Sequence, residues 1–97
     1  MQIITLDGAQ MTTIREAHLY IARQLRFPAY YGRNLDALYD CLTEYCPDMI
    51  LILRNADAMR NNLGEYADRL NQVFEDAAAD SHLRWIEDPS PSSAYRL

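Results

Sequence analysis

The sequence predicts an α/β domain, a small three-stranded parallel sheet with helices packed on it, in the order β-α-α-β-α-α-β. Three observations predict it. Two short apolar runs, QIITL at residues 2–6 and MILIL at 49–53, have the length and β-branching of strands. A third run, LRWIE at 83–87, alternates apolar and polar residues, as a half-buried strand does. The stretches between these runs carry helical periodicity. Helical crossovers imply parallel pairing with right-handed connections. Ninety-seven residues, nearly half of them apolar, make one domain with enough chain to bury a small core.

The elements follow in order. QIITL reads as a buried strand that Asp7 and Gly8 end with a turn. Thr13 and Glu16 form a T-x-x-E capping box. Behind it Ile14, Ala17, His18, Ile21, Ala22 and Leu25 keep the helical period, and the helix ends before Phe27 and Pro28. His18 lies on the apolar stripe and reads as a hydrogen-bonded core histidine. Residues 27–32 form a loop and 34–45 the central helix. Pro47 breaks that helix, and its imide bond can take either isomer. MILIL is continuously apolar, the pattern of a strand buried on both faces. Asn55, Ala56 and Asp57 begin a short helical turn. Asn61 or Asn62 is placed to cap the last helix, whose inner stripe is Leu63, Tyr66, Ala67, Leu70, Val73, Phe74 and Ala77. Residues 1–87 are thus expected to form the domain, and residues 88–97, rich in Pro and Ser, a flexible tail.

The rest of the chain is organised around residues 30–45, YYGRNLDALYDCLTEY. Gly32 is expected to supply a positive φ at a sharp turn. Asn34 is a good N-cap. Leu35, Leu38 and Leu42 form one apolar stripe. Asp36, Tyr39, Asp40 and Thr43 form another, roughly opposite. Carboxylates at i and i+4 cost a helix about 0.2–0.5 kcal/mol, and Asp40 lies beyond the turn that the N-terminal dipole favours. A solvated face tolerates such a cost. Here Tyr30, Tyr31, Tyr39 and Tyr45, all read as exposed, surround the pair, and aromatic anchors beside charges mark a binding surface. The same tyrosines also suit self-association. A second acidic group, Glu75, Asp76 and Asp80, opposes the dipole at the end of the last helix and reads as solvated or as part of the same surface.

The run Tyr30, Tyr31, Gly32, Asn34, Leu35, Asp36, Ala37, Leu38, Asp40, Cys41, Leu42 and Thr43 resembles the central segment of the barstar family, intracellular inhibitors of the bacterial ribonuclease barnase. Pro28 before the tyrosines and Gln72, Val73 and Phe74 in the last helix match as well. The similarity is dense over 25–45, collinear but weaker over 1–24 and 46–87, and absent after about Asp88. It implies the same parallel-sheet fold and a histidine at His18. It also implies that Asp40 plugs the partner's phosphate site, that Asp36 supports it, and that Tyr30 and Asn34 touch the partner's loops, with Thr43 at the same edge. Asp76 occupies the place of a peripheral glutamate contact and is one methylene shorter. The chain departs from the family pattern elsewhere. Tyr39 and Tyr45 stand for tryptophans, Glu44 for a glycine beside the interface, and Arg33 for an acid. These changes point to a cognate ribonuclease that differs from barnase, or to a family member whose partner has diverged.

Composition narrows the function classes. Fourteen acidic and nine basic residues give a net charge of −5, which disfavours nucleic acid and anionic membrane and favours a basic partner. MQIITLDG lacks the basic and long apolar regions of a signal peptide, so the expected address is the cytoplasm. There Cys41 and Cys46 are reduced thiols. A single C-x4-C with no nearby His supplies half a zinc site, so neither a metal nor a cofactor is expected. Gly-rich phosphate loops and nucleophile–base pairs are missing from the sequence. Asp36 and Asp40 resemble a hydrolase pair, but a general acid needs a pKa raised by burial, and this pair is expected on an exposed face. The expected function is therefore non-enzymatic, namely 1:1 inhibition of a basic, barnase-like ribonuclease by a monomer, as immunity against a self-made toxin. The partner-binding residues are Tyr30, Asn34, Asp36, Tyr39, Asp40, Thr43, Glu44, Tyr45 and Asp76. An acidic adaptor for a basic non-nuclease protein would use the same face.

Overall fold

The computed structural model describes residues 2–46 and 48–89. Pro47, whose isomer the sequence leaves open, lies outside the described residues, as do residues 90–97 of the predicted tail. The elements are β1 (Gln2–Asp7), a 3₁₀ turn (Gly8–Gln10), α1 (Ile14–Leu25), α2 (Leu35–Tyr45), β2 (Met49–Arg54), α3 (Ala56–Leu63), α4 (Glu65–Asp80) and β3 (Arg84–Glu87). The sheet is wholly parallel, with β2 between β1 and β3. The predicted α/β order β-α-α-β-α-α-β is therefore what the chain adopts.

Register explains where the core sits. Ile4 pairs with Leu51 and Leu6 with Leu53, while Leu51 also pairs with Trp85. Leu6, Leu51 and Leu53 on this face are fully buried. The opposite face carries Ile3, Ile50, Ile52 and Ile86, and it is open, with Ile3 62% and Ile86 40% exposed. This corrects the two-sided burial expected for MILIL and the burial expected for QIITL. A continuous apolar run suits a two-sided strand, but here the helices cover one face, so burial alternates along both strands. Trp85 covers the edge by stacking on Phe74, with ring centroids 4.0 Å apart and planes at 10°, and its Nε1–H donates to Asn71 Oδ1 at 2.8 Å.

The helix starts follow the caps with two exceptions. Thr13 Oγ1 accepts the Glu16 N–H at 3.1 Å, and Asn34 Oδ1 accepts the Ala37 N–H at 2.8 Å. α1 closes on Arg26 in the left-handed region, where the Phe27 N–H donates to Ala22 O. The first exception is α3. It is a full helix rather than a short turn, and it runs through Asn61 and Asn62. Gly64, at φ +61, separates it from α4 because that backbone angle suits glycine. Asn62 caps nothing and instead ties the helix to Met11 O at 3.3 Å. The second is Gly32, which is not in the positive-φ region. That angle falls on Arg33, at φ +54. Gly32 lies close to the start of α2, where a Cβ would meet Asn34 Nδ2 at 3.3 Å and Ala37 Cβ at 3.4 Å.

A candidate partner-binding face on α2 and its loop

Burial of Leu38 and Leu42, both at 0% exposure, fixes how α2 is turned. The other stripe then faces out. Asp36 and Asp40 are exposed, and Tyr39 and Thr43 are half-buried. The single Thr43 hydroxyl proton is turned back onto the helix, with Oγ1 3.0 Å from Tyr39 O and 3.1 Å from Asp40 O.

Tyr39 is the centre of this face. Its hydroxyl donates to Asp80 Oδ2 at 2.5 Å, joining α2 to the end of α4 across 41 positions of sequence. That bond raises the Tyr39 pKa above the ordinary phenol value, and the nearby carboxylates of Asp80, Asp76 and Asp40 push it the same way. Asp76 is steadied by Gln72 Nε2, which donates to its Oδ1 at 3.0 Å. Asp40, Asp76 and Asp80 thus gather around one phenol. Among the described residues, the ion pairs are Arg54–Asp88 and Arg60–Glu87, and neither involves this face. Asp36, Asp40, Glu44, Asp76 and Asp80 therefore present charge that no ion pair among the described residues neutralises. Phosphate-binding sites present the complement, guanidinium and ammonium groups that form charge-assisted bonds to oxyanions.

The loop before α2 carries a second pair. Tyr30 is 78% and Tyr45 37% exposed, and their hydroxyls lie 2.7 Å apart. This bond, with some desolvation and the charge of Glu44, pushes the Tyr45 pKa up to about 12. The loop is thereby joined to the far end of α2. Asn34 is committed twice, since its Nδ2 also donates to Gly32 O at 3.3 Å. Glu44 is exposed on the last turn of α2.

Tyr31 departs from the sequence expectation, being 8% exposed and part of the core. Its hydroxyl meets His18 Nδ1 at 2.6 Å, and His18 Nε2 meets the Tyr66 hydroxyl at 2.7 Å. A neutral imidazole has one N–H, so one phenol donates to the ring and the other accepts from it. Burial lowers the His18 pKa and keeps the ring neutral. The chain Tyr31–His18–Tyr66 anchors the loop before α2 to α1 and α4. Sequence reasoning placed His18 and Tyr66 on inner stripes but had no signal for their pairing, nor for that of Tyr39 with Asp80.

Cys41 and Cys46 are buried, and desolvation raises both thiol pKa values, that of Cys46 to about 11. They are protonated at neutral pH and poor nucleophiles. Among the described residues no three His, Cys, Asp or Glu side chains are grouped to hold a metal ion, and no helix is long and apolar enough to cross a membrane.

A family model described as Barstar (barnase inhibitor) matches residues 1–88. The chain belongs to the barstar family. A Bacillus subtilis (strain 168) protein named "Putative ribonuclease inhibitor YrdF" is 41% identical over 78 residues, which is 79% of this chain and 86% of that protein. The barstar match spans every strand and helix described above and ends at Asp88, whose N–H still donates to Leu53 O at 2.8 Å.

Proposed function

We propose that this barstar-family chain is a cytoplasmic, non-enzymatic inhibitor of a basic, barnase-like ribonuclease, and that it acts by occlusion. The observation that carries this reading is the set of carboxylates, Asp40, Asp76 and Asp80, held around Tyr39 by α2 and α4 with no ion pair to them among the described residues. Asp40 takes the place of a substrate phosphate and accepts charge-assisted bonds from the enzyme's cationic side chains. Asp36 reinforces it from one turn earlier. Tyr30, Asn34 and Thr43 pack against the partner's loops, Tyr39 and Tyr45 supply aromatic area, and Glu44 and Asp76 add peripheral charge. A helix-borne face loses little conformational entropy on docking. A monomer of this kind forms a 1:1 complex, through residues 1–87 without the tail 88–97, and protects its host from a self-made toxin.

Occlusion makes a specific demand. Inhibitor and active-site ligand exclude one another. With a guanyl-specific bacterial ribonuclease and guanosine 3′-phosphate as competitor, the apparent Kd of this chain rises in proportion to nucleotide concentration. An apparent Kd that saturating nucleotide leaves unchanged would show binding away from the active site.

A further inference from the structure

On the flank of the binding loop lies an open cleft of about 250 Å³, formed between α1 and residues 27–33. Ala22, Phe27, Pro28 and Tyr31 line its apolar part, and Arg23 and Arg33 reach it from opposite walls, α1 and the loop. Both arginines are exposed, and among the described residues neither is in an ion pair. In a chain of net charge −5, two unneutralised guanidinium groups on one small cleft stand out from their surroundings. Arg33 also holds a left-handed backbone angle that glycine would accept more readily.

We infer that this cleft receives an aspartate or glutamate side chain from the rim of the ribonuclease's active site. The inference rests on the inhibitor reading and adds to it a partner feature at the loop that Tyr30 and Asn34 flank. Charge complementarity selects the occupant. A guanidinium offers a planar fork of donors that fits a carboxylate with two parallel bonds. Arg33 directly precedes Asn34, the N-cap of α2, so the cationic cleft adjoins the start of the acidic helix and gives this part of the chain two poles of opposite charge. Two poles fix the orientation of a docked partner, which a uniformly acidic surface does not.

The test uses the sign of a charge change. Against a guanyl-specific bacterial ribonuclease, the wild-type chain is compared with Arg33→Glu and Arg23→Gln, with Asp40→Ala as a control for occlusion. If a carboxylate sits in the cleft, Arg33→Glu raises Kd about tenfold or more through faster dissociation, and Arg23→Gln raises it by a smaller factor. Changing rim acids of the ribonuclease to lysine one at a time then identifies one that restores binding to Arg33→Glu. A ribonuclease that is basic throughout the contact gives the opposite sign, because an added negative charge tightens the complex. Unchanged or tighter binding by Arg33→Glu, with Asp40→Ala still defective, overturns the cleft assignment and leaves occlusion standing. Failure of the wild-type chain to bind overturns the barnase-like partner of the inhibitor reading, and the cleft assignment with it.

Discussion

His18 shows how one buried side chain links stability to the binding loop. It is fully buried, with both ring nitrogens engaged by Tyr31 and Tyr66. Burial depresses its pKa below the ordinary 6.5. The unfolded chain therefore takes up the proton first, and stability present above pH 6.5 is lost as pH falls through the folded value. Urea unfolding at pH 7.5 and 5.5 is expected to give a lower midpoint at the acid pH, and NMR titration to place the His18 pKa below 6.5. A His18 that titrates at or above that value contradicts the neutral hydrogen-bonded ring. Protonation makes both ring nitrogens donors, so the phenol that donated to the ring, Tyr31 or Tyr66, loses its acceptor. Little of this was legible in the sequence. Periodicity put His18 on the inner stripe, but Tyr30 and Tyr31 are neighbours of one type, and tertiary packing alone decides that Tyr31 turns inward while Tyr30 stays out.

At the scale of the element, α2 is held by its N-cap and its leucine stripe, and both were readable from residues 34–42. Asn34 has two roles that variants separate. Asn34→Ala removes the cap and is expected to cost about 0.5–2 kcal/mol in thermal or urea unfolding. Asn34→Ser keeps a capping oxygen, so its stability stays near wild type, while any loss of affinity for a ribonuclease reports the contact role alone. Equal stability for Asn34→Ala and wild type would mean that the Ala37 bond adds nothing. The less legible elements fail for physical reasons. Asn61 and Asn62 looked like caps, but the break requires positive φ, and Gly64 supplies it. QIITL reads as a buried strand and MILIL as a two-sided one because apolar composition reports burial without saying which face receives the helices. The stripe Asp36, Tyr39, Asp40 and Thr43 was readable as one face. Its connection to Asp80 was not, because residues 41 positions apart meet only after α4 has folded back.

Over the whole molecule, charge is divided unequally. Net charge is −5, and the acidic groups of α2 and of the end of α4 converge on Tyr39. A fixed acidic pole of this kind steers a basic partner into encounter, and salt screens that steering over about 10 Å at 0.1 M. Stopped-flow association with a basic ribonuclease is expected to slow steeply between low and high salt, with dissociation changing little. An association rate that ignores salt contradicts the electrostatic part of the account. The central claim is that Asp40 occupies the place of a substrate phosphate, and the most direct test is an inhibition titration of a guanyl-specific bacterial ribonuclease. The wild-type chain is expected to inhibit stoichiometrically, and Asp40→Ala, folded to the same extent by circular dichroism, to lose about 2 kcal/mol or more of binding, roughly thirtyfold in Kd. Equal inhibition by the two proteins would contradict the claim.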